Sequence, residues 1–303
     1  MSIDVIIRQK GLFKKTLPLS VILGDNLACG VYEAGYRLIQ EDWERENAEN
    51  GEIAVFAPQH KGRGFTVTWT PTQKKGVALR ALHPTCAYEL KAFYAAVARI
   101  TDYWNCSLEV DGNPMTPAEF QAGLSDMLEA NNRYLDLFIE KSIDKEPYES
   151  MTLFSAFWPL EFGAKEAAEV KNAPEGAPVR FARWLHEMQS ADTYYAVAGY
   201  MEEDDGIVSR FAFTENCDSL FPVKPSVPFG ITGADGKPLE VSRYEVAIVA
   251  TSTPSVSVIG TIPYEAFIAA LSPDKVSYYD AQRVRIAPHS LDELKELIAK
   301  AGD

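Results

Sequence analysis

The spacing of apolar residues changes period near residue 85, and that change limits the layers this chain can build. Before it, Val, Ile, Thr and aromatic residues cluster in short runs at 2–9, 17–23, 52–57, 65–70 and 77–82, which read as strands. After it, 85–103 carries Leu90, Phe93, Tyr94, Val97 and Ile100 at helical spacing. Strands followed by helices give the α+β class, with antiparallel sheets and helices segregated from them.

The next helix has the strongest start signal. Thr116 serves as N-cap, Pro117 suits the first helical position, and Glu119 completes a capping box. Phe120, Leu124, Met127, Leu128, Leu135, Phe138 and Ile139 then form one apolar face. A strand at 105–110, closed by Asp111-Gly112, precedes it. A strand at 151–160, helices at 164–171 and 179–189, and a hairpin of 193–201 with 207–213 follow.

Residues 222–238 hold Pro222, Pro225, Pro228, Pro238, Gly230, Gly233 and Gly236. Such punctuation marks a boundary between an N-terminal α+β region, 1–221, and a C-terminal α+β lobe, 239–303. The alternative is one compact domain crossed by that segment. Beyond it come strands at 240–251, 256–261 and 276–287, a helix at 263–271, and a last helix capped by Ser290 and Glu293. The order β-β-α-β-α appears in 64–141 and again in 239–303. Ala92-Phe93-Tyr94-Ala95-Ala96-Val97 in the first is echoed by Ala266-Phe267-Ile268-Ala269-Ala270-Leu271 in the second. Duplication of one unit explains this, and so does convergence of Ala-rich amphipathic helices.

The formal net charge is −14, and residues 86–221 hold 10 Lys/Arg against 24 Asp/Glu. A strongly acidic chain argues against nucleic-acid binding, which needs a basic surface. The lysines of the first third lie near turns and read as solubilising. The most apolar stretch, 246–262, is broken by Thr, Ser and Pro, so it does not reach the ~20 apolar residues of a membrane span. The N-terminus lacks a basic region with a following apolar stretch, which points to a cytoplasmic protein with no membrane partner. Cys29, Cys86, Cys106 and Cys217 show no C-x-x-C spacing and read as buried, reduced thiols.

Tests for catalytic chemistry are negative in the sequence. Gly11-Leu12-Phe13-Lys14-Lys15-Thr16 and Gly233-Ala234-Asp235-Gly236-Lys237-Pro238 both fail the phosphate-loop spacing, and Gly62-Arg63-Gly64 lacks the third glycine of a dinucleotide fingerprint. His186-Glu187 has no second histidine to hold zinc. Ser-x-x-Lys at 142–145 and 272–275 has none of its companion motifs. His83 and Cys86 flank a helix start but lack an orienting third group. No catalytic residue, metal ligand or cofactor is expected. The densest polar cluster is Glu202, Glu203, Asp204 and Asp205 at the hairpin tip, read first as solvated, then as a contact for a basic protein partner, and last as a site for a hard cation.

Ser2-Ile3-Asp4-Val5-Ile6-Ile7, Leu23-Gly24-Asp25-Asn26-Leu27 with Tyr36-Arg37-Leu38, and Arg63-Gly64-Phe65 resemble a bacterial family of proteins of about this length, a domain of unknown function. The resemblance spans the chain. It implies a bacterial intracellular protein and supplies no activity or site.

The expectation is therefore a non-catalytic protein-binding module with an acidic surface, of an inhibitor or immunity-like kind. The alternatives are a hydrolase using carboxylates or a metal at an acidic cluster, and a structural or assembly subunit.

Overall fold

A computed structural model describes every residue except 33–37, 40–50, 145, 147–148, 229–230, 234, 253–254 and 303. The polar stretch 41–52 lies outside the described residues apart from Gly51 and Glu52, as do Tyr36, Arg37, Lys145, Gly230 and Pro254. The chain is α+β, and it divides into two compact units, Met1–Ala191 and Asp192–Asp303.

The first unit is built on an eight-stranded sheet of order β3-β2-β4-β5-β6-β1-β7-β8. Its strands are β1 (Ser2–Arg8), β2 (Ala28–Tyr32), β3 (Leu38–Ile39), β4 (Glu52–Phe56), β5 (Phe65–Thr68), β6 (Gly76–Leu82), β7 (Leu108–Val110) and β8 (Asn113–Met115). Every pair in it is antiparallel. Alternation along β1 buries Ile3, Val5 and Ile7 on one face. Helix α2 (Ala87–Trp104) is packed into the same core by Leu90, Phe93, Tyr94, Val97, Ile100 and Trp104. Asp111 and Gly112 both take positive φ, as the two-residue β7–β8 turn requires.

The run at 17–23, read as a strand, instead forms the short helix α1 (Leu19–Leu23). Pro18 starts it and Gly24, at φ 57°, ends it. A short apolar run has no period of its own, so its flanks decide. The capping box at Thr116 and Glu119 is present. It opens α3 (Pro117–Ala122), and Gly123 separates this from α4 (Leu124–Ile143). Asp126, Glu129, Asp136 and Glu140 are exposed on α4, and Leu135, Phe138 and Ile139 are buried. The stretch read as one strand at 151–160 is two, β9 (Met151–Leu153) and β10 (Leu160–Phe162), which pair with each other. Helices α5 (Ala164–Lys171) and α6 (Ala177–Gln189) complete the unit.

The second unit holds two four-stranded sheets, β11-β14-β18-β17 and β12-β13-β15-β16. The strands are β11 (Tyr194–Tyr195), β12 (Gly199–Glu203), β13 (Gly206–Thr214), β14 (Ser219–Pro222), β15 (Arg243–Ala250), β16 (Ser257–Pro263), β17 (Val276–Asp280) and β18 (Arg283–Ile286). The chain passes back and forth between the sheets, so each is assembled from segments that straddle the other. Two pairs are parallel, β11 with β14 and β13 with β15. Parallel neighbours need a long return connection. Residues 222–238 lie on that return between β13 and β15, inside this unit. Phe211, Phe213, Phe221, Val246, Ile248, Tyr264 and Phe267 form the core, closed by Leu294 and Leu297 of α8 (Leu291–Gly302). Helix α7 (Tyr264–Ala270) supplies Tyr264 and Phe267.

The stretches 64–141 and 239–303 share an order of elements but not an arrangement. β5, β6, β7 and β8 lie in one sheet, with β1 between β6 and β7, whereas β15–β16 and β17–β18 belong to different sheets.

No disulfide links the four cysteines; Cys29 and Cys86 are buried as expected, whereas Cys106 and Cys217 are only partly so. Among the described residues no helix is long and apolar enough to cross a membrane.

Candidate functional site

The acidic cluster sits where the sequence places it, at the β12–β13 hairpin, and two of its members are tied down. Glu203 ends β12 opposite Gly206, so the turn is Asp204-Asp205. Arg243 donates to both oxygens of Asp205, at 2.7 and 2.6 Å, and also reaches Glu203. Arg210 binds Glu203 at 3.0 Å and Glu245 at 2.7 Å, and Arg243 Nε binds Glu245 at 2.8 Å. The Arg243 hydrogen bonds hold the Asp205 carboxyl below its ordinary value, and Glu245 is lowered by the same guanidinium first. Glu202 and Asp204 are exposed. The four carboxylates thus do not converge on one point. Among the described residues no group of three or more His, Cys, Asp or Glu is placed to hold a metal ion.

A different constellation, in the first unit, organises a cleft. Its centre is Glu89 on α2, 3% exposed. Glu89 accepts from the backbone N–H of Arg63 at 2.9 Å, the backbone N–H of Gly64 at 2.5 Å, and Thr85 Oγ1 at 2.5 Å. One carboxylate therefore joins two loops, 57–64 and 83–86. The Arg63 guanidinium donates to the carbonyls of Phe154 and Pro84, both at 2.9 Å. Burial pulls it down to about 10, which leaves it charged at neutral pH. Gly64 has φ +66°, and a β-carbon there would meet the Val55 carbonyl at 2.7 Å, so the loop needs glycine at this point.

Asn131 of α4 fastens the second loop. Its Oδ1 accepts from the Thr85 N–H at 2.9 Å, and its Nδ2 donates to the Thr85 carbonyl at 2.8 Å. His83 Nδ1 lies 2.9 Å from the same Oδ1, so the imidazole carries its proton on Nδ1. His83 Nε2 is buried and has no hydrogen-bond partner among the described residues. Burial holds this histidine below its ordinary value.

Above these loops opens a cleft of about 420 Å³. Ala87, Tyr88, Leu135, Pro178, Val179 and Ala182 give it largely apolar walls, and His60, His186, Asn132 and Arg183 add polar groups. The rings of His60 and Tyr88 lie 4.4 Å apart. His186 Nδ1 accepts the Lys61 N–H at 3.0 Å, which sets its proton on Nε2 in the neutral form. Arg183 is paired with Glu175 at 2.7 Å. Cys86 also lines the cleft, but burial and the nearby Glu89 charge push its thiol far above the ordinary range. A thiol held protonated is a poor nucleophile. No carboxylate lines this wall among the described residues.

The second unit has a smaller hollow of about 180 Å³, lined by Asp274, Glu293, Glu296, Lys275, Lys300 and His289 among others. Glu293 binds Lys275 at 2.8 Å and closes the α8 capping box with Ser290. These bonds pull it down to about 2, and Ser272 lowers Asp274 likewise. General acid and base roles need carboxylates whose environments push their values apart. Here both are shifted the same way.

Sequence reasoning misses the cleft, because its walls come from four segments far apart in the chain. Fragments of it stand out nonetheless. Gly62-Arg63-Gly64 and His83-Pro84-Thr85-Cys86 are the two loops that Glu89 joins.

The sequence model of one family, described as Domain of unknown function (DUF4299), matches residues 2–297 of the chain. No curated protein and no solved structure matches it.

Proposed function

The chain belongs to the DUF4299 family, and we propose that it is a non-catalytic protein-binding module whose cleft in the first unit receives an apolar side chain of a basic partner segment. The observation that carries this reading is the rim of the cleft. Tyr88 and Val179 are large apolar residues, 41% and 51% exposed, on a concave apolar surface. Half-exposed aromatic and aliphatic groups around a pocket are what a docking anchor requires. Glu89, Arg63 and Asn131 beneath are occupied in holding loops together, which supports a recognition surface over a reacting one.

Charge supports a basic partner. Asn132, at the cleft, lies on the same face of α4 as Glu129 and Asp136, three residues before and four after. The hairpin tip, with exposed Glu202 and Asp204, is a second acidic contact on the other unit, weaker because Glu203 and Asp205 are already paired.

The test is a pull-down from the native lysate at low and high salt, with wild type, Val179→Asp, Tyr88→Ala and Glu202→Lys/Asp204→Lys. A partner that binds wild type at low salt and is lost with Val179→Asp and Tyr88→Ala supports the reading. Capture of nothing at low salt by an intact protein sinks it.

A further inference from the structure

The loop after β1 carries the two most exposed large apolar side chains among the described residues, Leu12 and Phe13, each 97% exposed. We propose that this loop is a docking finger for an anionic lipid surface, with Leu12 and Phe13 entering the interface and Lys10, Lys14, Lys15, Lys74 and Lys75 meeting the headgroups.

The finger has a fixed base. Gln9 is 7% exposed and grips Lys15 from both sides, its Oε1 accepting the Lys15 N–H at 2.8 Å and its Nε2 donating to the Lys15 carbonyl at 2.9 Å. The same Nε2 reaches the Lys74 carbonyl at 2.9 Å, and the Gln9 N–H bonds to the Lys75 carbonyl at 3.1 Å. Trp104 Nε1 holds the Lys15 carbonyl at 3.2 Å, and the Leu17 N–H holds the Gln73 carbonyl at 3.0 Å. Residues 10–14 therefore project from a closed neck. Gly11, at φ +95°, makes the turn, with open space around it. A tip presented in this way loses little freedom on docking.

The neck gathers charge that the sequence disperses. Pairing of β1 with β6 brings the lysines of the 70–76 turn beside those of the finger. All five lysines are exposed. Lys15 Nζ lies 5.7 Å from the centre of the Tyr103 ring, and no Asp or Glu occurs in residues 5–24 or 53–88. In a chain of net charge −14 this end is locally basic. Apolar residues at a protruding tip ringed by lysines match a surface that is negative outside and apolar beneath. The whole-chain charge does not describe this end.

Vesicle co-sedimentation tests the proposal, using phosphatidylcholine vesicles with and without phosphatidylglycerol. The full chain should pellet with the anionic vesicles and stay in solution with the zwitterionic ones. Leu12→Ser/Phe13→Ser and Lys14→Glu/Lys15→Glu should each reduce the bound fraction at least tenfold, with unchanged thermal melting because the side chains are exposed. Phe13→Trp should show a blue-shifted emission on adding anionic vesicles. Failure to pellet with anionic vesicles at low salt overturns the proposal, and so does binding that survives the Leu12/Phe13 substitution. A concentration-dependent dimer in light scattering, abolished by the same substitution, would assign the finger to a second copy of the chain and overturn it as well.

Discussion

A β-carbon on Gly62 would stand 2.6 Å from Glu89 Oε2, so the carboxylate occupies space that only a glycine leaves open. The same carboxylate accepts three hydrogen bonds from the loops on either side of it. Packing and hydrogen bonding at this point are therefore one constraint. Gly62→Ala should destabilise the first unit by about 1–3 kcal/mol through overpacking. Glu89→Gln should lose about 2–4 kcal/mol, because an amide turns a donor toward N–H groups that need an acceptor. Urea unfolding of each variant measures both. A Glu89→Gln protein as stable as wild type would show that the two loops do not depend on the carboxylate.

His83 makes stability depend on pH. Burial lowers it below its ordinary 6.5, the Asn131 bond opposing, so the unfolded chain takes up the proton first. Its contribution is complete above pH 6.5 and is lost as pH falls from there toward the lowered folded value. His83→Gln should flatten the decline of melting temperature between about pH 7.5 and 5 relative to wild type. Parallel curves for the two proteins would count against a buried neutral imidazole.

Arg243 is the hub of the hairpin tip, bonded to Glu203, Asp205 and Glu245. Removing the Arg243 cation leaves Asp205 without its partner and Glu203 and Glu245 sharing Arg210 alone, whereas removing Asp205 leaves the Arg243 contacts to Glu203 and Glu245. Arg243→Gln should therefore lower the melting temperature by several degrees and Asp205→Asn by less. Added salt should recover part of the Arg243→Gln loss by screening the like charges. Differential scanning fluorimetry across a salt series reads both outcomes.

The division of the chain also has a direct test. A fragment starting at 192 keeps β13 and β14, the neighbours of β15 and β18, and should melt cooperatively. A fragment starting at 239 lacks them and should not. Cooperative unfolding of the shorter fragment would place the boundary at the Pro/Gly-rich segment.

Sequence patterns reveal the elements better than their partners. The α2 face of Leu90, Phe93, Tyr94, Val97 and Ile100 is buried as its spacing demands. The capping boxes at Thr116 and Ser290 both form, because their signals lie within four residues. Where a pattern was short or partners were distant, reading failed. Leu17–Leu23 has too few residues to show a period, and the parallel pairing of β13 with β15 leaves no local mark. The Pro and Gly residues of 222–238 suggest a boundary, but the same punctuation serves a crossover as well as a linker. The acidic tip was legible as a cluster. The pairing of Glu203 and Asp205 within it was not, because Arg243 lies 38 residues from Asp205 in sequence. The cleft depends on Glu89, whose partners at Arg63 and Gly64 are 26 and 25 residues away.

The alternation of the chain between two sheets in the second unit sets a timetable for its birth. Val208 must find Arg243, and Ser219 must find Ile286. As the polypeptide leaves the ribosome, the sheet of β13 waits for β16 and the sheet of β14 for β18, the last strand of this unit in chain order. The sheet holding β13 can close only once β16 is made, and the sheet holding β14 only once β18 is made. The nascent second unit therefore carries unpaired strand edges until almost its whole length has emerged, and that interval is when it is most exposed to wrong partners.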